Sequence, residues 1–402
     1  MSTLKFRCLT GVWLWSVSLI LPATTIDAAD VRIRSDFPGG NIEIIRNTGR
    51  TVHMAPDLRN DRPWFYWYFE ATATTPGRVH FVFPEQVAGF KHGAIGFQGP
   101  AISVDRGRSW KWMGTENVRG SSFFHDFTQS QSVVRFAVSI PYVQSDLDRF
   151  LEKHARNGHL RRTILTKSRH GRDVELLQIG TTGTHTKPVL VTARHHATET
   201  IASYVLEGLL QAAMADTESG IGFRSKYVLF AIPFVDKDGV EEGDQGKNRK
   251  PHDHNRDYGK QSLYPEVQAI KSLDQTLDFQ FSLDLHCPTL VMKDHQVLYF
   301  VGPKSHPAFN FDNVTAFAKL MQKGLPESAP VGPLVWLRDR DTPAPMNSNY
   351  FGFKKNAILA ATLEVPFAPP GKATSPEDCR GYGAVMLHAW VHTHFLSTDS
   401  AR

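Results

Sequence analysis

From Pro141 onward the chain alternates short apolar runs with segments of helical periodicity, and few folds accommodate that alternation. Apolar, β-branched runs occur near Val174 to Ile179, Pro188 to Ala193, Tyr227 to Pro233, Phe279 to Leu285, Val297 to Val301 and Ile358 to Pro366. Between them lie helical patterns at Thr200 to Ala215, Pro265 to Thr276, Phe309 to Lys323 and Gly383 to Leu396, preceded by Leu147, Phe150 and Leu151 at helical spacing. Strands alternating with helices join largely in parallel, and a strand apolar on nearly every residue has both faces covered. The expectation over residues 142–398 is an α/β domain, a mixed sheet flanked by helices.

Residues 30–141 follow another pattern. Asn41 to Ile45, Trp64 to Ala71, Arg78 to Phe83, Ala101 to Val104 and Ser132 to Ile140 are rich in β-branched and aromatic residues, separated by Gly, Pro, Asp and Asn. That spacing predicts a small antiparallel β-sandwich, with Asp105 to Trp110 as a turn between two strands. The run Trp64-Phe65-Tyr66-Trp67-Tyr68-Phe69 reads as the inward face of a sheet rather than a binding platform, since aromatics on strands mostly pack inward.

Residues 1–29 read as a secretory signal peptide: Lys5 and Arg7, then an apolar stretch from Leu9 to Ala23, then small residues at Ala28 and Ala29. The stretch is too short for a stable membrane span, so the chain is expected to be exported, to a periplasm or to the outside. Its removal takes away Lys5, Arg7 and Asp27 and lowers the formal net charge from +5 to +4. The charges are interleaved along the chain, which speaks against nucleic acid as a partner. Of 3 cysteines, Cys8 leaves with the leader; Cys287 and Cys379 are too few for a disulfide framework, and whether they pair stays open.

The stretch Arg194-His195-His196-Ala197-Thr198-Glu199-Thr200 falls where a strand gives way to a helix. Zinc in a hydrolytic site takes three protein ligands and leaves a position open, commonly two histidines and a carboxylate. Glu199 in a first helical turn reaches back toward His196, so that pair can supply two ligands. His195 competes with His196, which is preferred because adjacent side chains leaving a strand diverge. In Ser282-Leu283-Asp284-Leu285-His286-Cys287, Asp284 and His286 share one face of a strand, either as ligand and orienting carboxylate or as a structural pair. Glu364 sits within the apolar Ala361-Thr362-Leu363-Glu364-Val365-Pro366, as a catalytic base or a salt-bridged structural acid. The polar stretch Asp236 to Arg249, with Asp253-His254-Asn255-Arg256, is a donor-rich loop after a core strand, where binding residues gather. An Arg beside an Asn suits a carboxylate. His252 and His254 lack a third ligand nearby, and the acidic part does not fit a calcium loop.

The order H-x-x-E, N-R, D-x-H and strand glutamate resembles the zinc metallocarboxypeptidases of the carboxypeptidase A clan, in the branch of the cytosolic carboxypeptidases. The likeness extends upstream through Phe37-Pro38-Gly39-Gly40-Asn41, Trp64-Phe65-Tyr66 and Pro141-Tyr142. It implies a zinc carboxypeptidase domain preceded by a small β-sandwich, and one zinc ion per chain on His196, Glu199 and His286 with Asp284 behind a ligand histidine. It further implies Glu364 as general base, Asn255 and Arg256 gripping the terminal carboxylate of a peptide or protein, and Asp238-Gly239-Val240 opening the binding loop. Three departures stand out. Ala197-Thr198 replaces the branch's Pro-Gly, Arg249 takes the oxyanion role only if the loop is shortened, and the closing tyrosine is assigned to Tyr350. Residues between Trp336 and Phe353 are expected to border the pocket, with Arg338 or Arg340 favouring acidic side chains. Two other readings are an amidase of cell-wall peptides and a non-catalytic secreted binding protein.

Overall fold

The computed structural model describes residues 30–396 apart from 60–61, 88–89, 92–93, 291, 303–304, 338–344 and 372. The expected leader, together with Arg338 and Arg340, lies outside the described residues.

Two five-stranded sheets form between Val31 and Ala137. Phe69 and Phe136 of one sheet meet Phe81 and Phe123 of the other, with ring centres 5.2–5.4 Å apart, and this aromatic layer is the core of the sandwich. One pair departs from the antiparallel expectation: Thr51–Ala55 runs parallel to Gly77–Val82. The reason is topological, since the chain crosses to the other sheet for Tyr68–Ala73 before returning in its original direction. The predicted turn is there, with Asp105 Oδ1 accepting the backbone N–H groups of Arg108 and Ser109 at 3.0 and 2.9 Å.

Downstream, eight strands make one mixed sheet. Its centre is four neighbouring parallel strands in the order Tyr227–Ile232, Lys187–Ala193, Phe281–His286 and Leu359–Glu364. Leu160–Lys167 and Asp173–Ile179 add antiparallel strands at one edge, and Leu298–Gly302 with Val331–Leu337 complete the other. Alternation along each strand sends residues to two faces. Val189, Val191, Leu283 and Leu285 belong to the core shared with helices Ile201–Met214 and Pro376–His392, whereas Leu190, Phe230 and Ile232 pack with Val267 and Ile270 of helix Pro265–Leu277. The first two helices approach closely enough to need glycine. A Cβ on Gly208 would stand 1.9 Å from the Arg380 carbonyl oxygen, and one on Gly383 would stand 2.1 Å from that of Val205.

Cys287 and Cys379 are both buried and free, so they do not pair. Among the described residues no helix is long and apolar enough to cross a membrane.

Candidate metal centre and substrate cavity

The polar residues singled out above end the central parallel strands at their carboxyl side, the rim where open α/β sheets carry their ligand crevices. After Lys187–Ala193, Arg194 takes a left-handed φ of 61° and turns the chain. Its guanidinium is buried and donates to the carbonyl oxygens of Ala197, through Nε at 3.1 Å, and of Tyr142 at 2.8 Å. The cation thus closes the turn that separates His195 from His196. His286 is the last residue of its strand and pairs in register with Glu364, the last residue of the next.

Three donors converge at this rim. His196 Nδ1 and Glu199 Oε1 are 2.7 Å apart, His286 Nδ1 and Glu199 Oε2 are 2.7 Å apart, and the two imidazole Nδ1 atoms are 3.1 Å apart. Tetrahedral zinc with bonds of about 2.0–2.1 Å would hold such donors about 3.3 Å from one another, so the group needs only a small expansion to take the ion. The electrostatics point the same way. Burial opposes the charge on Glu199, yet the imidazoles of His196 and His286 outweigh it and hold the carboxyl well below its ordinary pKa. Burial likewise works against a charged His286, but Asp284 and Glu199 overcome it and raise its pKa well above the usual imidazole value. The pocket between these groups calls for positive charge, which either a proton or a metal ion supplies.

Behind each ligand imidazole stands a buried carboxylate. Asp284 Oδ2 accepts from His286 Nε2 at 2.6 Å, and Asp253 Oδ1 lies 3.6 Å from His196 Nε2. For His286 this acceptor on the far nitrogen keeps a lone pair on Nδ1, directed at the donor group, while His196 Nε2 makes no hydrogen bond to a described residue. A second metal-capable group, His195, Asp284 and His286, shares a histidine with the first. Its members are already paired: His195 Nδ1 faces Asp284 Oδ1 and His195 Nε2 faces the Tyr258 hydroxyl, both at 2.8 Å.

Beside the donors opens a cavity of about 360 Å³. Lys247, Asn255, Arg256, His286, Tyr299 and Glu364 are among the residues that line it. Burial raises the Glu364 pKa, and its Oε2 makes no hydrogen bond to a described residue. Asn255 and Arg256 lie on a short 3-10 turn, His254–Arg256, capped by Asp253 Oδ1 at 3.2 Å from the Arg256 N–H.

Two of the expected residues lie elsewhere. Arg249 is not in the cavity wall; its Nη2 is 2.9 Å from Asp236 and 3.0 Å from Asp244, tying down the loop that leaves strand Tyr227–Ile232. Besides Arg256, the cation that lines the cavity is Lys247, with Nζ 3.4 Å from His196 Nδ1 and 4.0 Å from Glu199. Gly246 lets this loop approach the turn that carries His196: at φ +69°, a Cβ there would stand 2.3 Å from the Ala197 nitrogen. Tyr350 is also outside the wall, on helix Asn347–Gly352, and donates to Asp274 at 3.2 Å. The cavity tyrosine is Tyr299, opposite Glu364 in the antiparallel pairing of Leu298–Gly302 with Leu359–Glu364.

The sandwich reaches this site. Within the aromatic run, Phe65 to Phe69 are buried as expected, but Trp64 lines the cavity. Gln245 fixes the junction: its Oε1 accepts the Tyr66 N–H and its Nε2 donates to the Tyr66 carbonyl, both at 2.8 Å. Asn41 adds a 2.8 Å bond to Asp57 and a 2.7 Å bond to Gly243, one residue before Asp244.

Residues 147–276 match the peptidase M14 zinc carboxypeptidase family. The chain carries a zinc carboxypeptidase domain. It is 22% identical over 335 residues to cytosolic carboxypeptidase 2 of Xenopus tropicalis, covering 74% of this chain and 34% of that one. The chain therefore spans about a third of that relative. An uncharacterized Zymomonas mobilis protein is 22% identical over 372 residues, covering 89% of this chain and 95% of its own length. The fold resembles that of a Burkholderia cenocepacia metallo-carboxypeptidase, with a TM-score of 0.75 at 20% identity and coverage of 90% and 97%. Clan and fold thus agree with the sequence reading, and zinc is the metal of the domain's family.

Proposed function

We propose that the protein is a metallocarboxypeptidase that hydrolyses the C-terminal peptide or isopeptide bond of peptides or proteins, with His196, Glu199 and His286 holding zinc. The observation that carries this reading is one cavity bordered by a three-donor group, a carboxylate with an oxygen unpaired among the described residues, and an Asn-Arg pair. Zinc bound there would lower the pKa of a water and polarise a carbonyl.

The remaining work falls to side chains of the chain itself. Asn255 and Arg256 orient the terminal carboxylate, Arg256 through the planar fork that matches two oxygens. Glu364, whose pKa burial raises, accepts a proton from the attacking water as a carboxylate and returns it to the leaving amine. Lys247 supplies the positive charge near the reacting carbonyl oxygen that Arg249, engaged with Asp236 and Asp244, does not. Tyr299 takes the place assigned to Tyr350 in closing over the substrate.

The test compares peptides with free and amidated C-termini in the wild type and in Glu364→Gln. Expected are cleavage of the free form alone and a rate lower by about 10²–10⁴ in the variant, the span a positioned base contributes. Undiminished activity in Glu364→Gln, or equal cleavage of amidated peptide, would refute the assignment.

A further inference from the structure

His195 is the one histidine of the Arg194 to Thr200 turn that this reaction leaves without a task, yet it is wholly buried and both ring nitrogens are engaged. Its partners lie on opposite sides of the site. Through Nδ1 it meets Asp284 Oδ1 at 2.8 Å, the carboxylate whose other oxygen orients His286 at 2.6 Å. Through Nε2 it meets the hydroxyl of Tyr258 at 2.8 Å, two residues beyond Arg256 in the loop that borders the cavity.

The protons along this line can be placed. An ionised carboxylate only accepts, so His286 Nε2, His195 Nδ1 and the Thr192 hydroxyl, 2.8 Å from Asp284 Oδ1, all donate to Asp284. With its proton on Nδ1, His195 presents a lone pair at Nε2, and the Tyr258 hydroxyl donates to it. Tyr258 in turn anchors the far end of the Asn255-Arg256 turn. Its backbone N–H donates to the Pro345 carbonyl at 3.0 Å, its ring packs 5.6 Å from that of Tyr350, and the Asn347 N–H donates to Asn255 Oδ1 at 3.2 Å.

We infer that His195 is a positioning residue that links the metal-ligand strand to the substrate-carboxylate loop through two separable hydrogen bonds. The Nδ1 bond sets the carboxylate behind His286 and so acts on metal affinity. The Nε2 bond holds Tyr258 and so acts on the grip of Asn255 and Arg256. The inference rests on the metal and substrate assignments proposed above.

Two substitutions divide the ring between them. In His195→Asn the amide nitrogen stands where Nδ1 was and keeps the donor to Asp284, but does not reach Tyr258. In His195→Gln the amide reaches Tyr258 and the donor to Asp284 is lost. Tyr258→Phe removes only the hydroxyl and preserves the packing. Zinc affinity is read by competition with a chromophoric chelator. Peptide affinity is read as a Kd on a Glu364→Gln background, so neither readout depends on turnover; a wild type that fails to cleave peptides would count against the proposed function alone.

Expected are zinc binding weakened about 10-fold or more in His195→Gln, the size of effect typical of an outer hydrogen bond to a ligand, with peptide Kd nearly unchanged. His195→Asn and Tyr258→Phe should instead weaken the free-C-terminus peptide about 3- to 10-fold, the loss of one hydrogen bond, with zinc affinity retained and the amidated peptide unaffected. Equal losses of both affinities in the two His195 variants would overturn the inference. So would a Tyr258→Phe protein that binds the free-C-terminus peptide as the wild type does, and this arm decides alone if the His195 variants do not fold.

Discussion

The residues that end the central strands and those carried by the loop over 236–258 line the same cavity but are held in place differently. His286 and Glu364 take their positions from sheet register, locked by neighbouring parallel strands, and His196 from a turn three residues past its strand. Lys247, Asn255 and Arg256 take theirs from distant partners: Arg249 on Asp236, Gln245 on the Tyr66 backbone, Asn41 on Gly243. Precision at the strand ends comes with the fold, whereas precision in the loop depends on contacts that cross from one sheet system to the other. Damage to the first group should therefore remove chemistry, and damage to the second should alter binding and stability.

Removal of the metal gives the sharpest separation. Chelation should abolish hydrolysis and zinc should restore it, while far-UV circular dichroism stays the same because the strands that carry His286 and Glu364 are held by pairing with their neighbours along their length. Loss of secondary structure on chelation would erase the distinction between the two groups.

Next comes the loop. Arg256→Ala should lower kcat/KM for free-C-terminus peptides by about 10²-fold, corresponding to loss of a charge-assisted bidentate contact of about 3 kcal/mol, and should erase discrimination against the amidated form. Steady-state kinetics on the matched pair checks both.

Lys247→Met and Arg249→Met then divide the two loop cations. The first should cut kcat about 10- to 100-fold with the unfolding midpoint retained. The second strands the fully buried Asp236 carboxylate and should cost about 3 kcal/mol in a denaturant titration. The reverse pattern would return the catalytic role to Arg249.

The smallest effect concerns pH. Burial opposes charge on Asp238, but hydrogen bonds from Ser168, Arg172 and the His170 backbone outweigh it and lower its pKa. A depressed folded-state pKa adds stability that is complete above the unfolded value of about 3.9 and is lost as pH falls through the folded one. Asp238→Asn should therefore destabilise the protein at pH 7 by about 1–2 kcal/mol, and the difference should shrink below about pH 4.

Much of this architecture is local in origin. The apolar run Phe281, Leu283, Leu285 alternates with Ser282, Asp284 and His286 on one strand, and both sets are buried because the strand is central. A polar residue ending such a run lies at the sheet's rim, and a lone acid within one needs a partner or a task, so His286 and Glu364 were recognisable as site candidates without coordinates. Helix Pro265–Leu277 likewise begins at the proline that starts its periodicity. Strands such as Leu160–Lys167 and Ser122–Phe127 escaped notice because they are half exposed, and their charged residues blur the apolar signal.

The α/β class and the set of ligand-type residues on or beside core strands can be read from the sequence, since burial and strand periodicity act over a few residues. Only the folded chain shows what engages His195, whose partners lie 63 and 89 residues away, beside the buried Arg194. It also decided that Lys247 and Tyr299, rather than Arg249 and Tyr350, line the cavity, and that Trp64 of the sandwich joins them. Those outcomes depend on ion pairs and hydrogen bonds between segments far apart in the chain, and no local pattern encodes them.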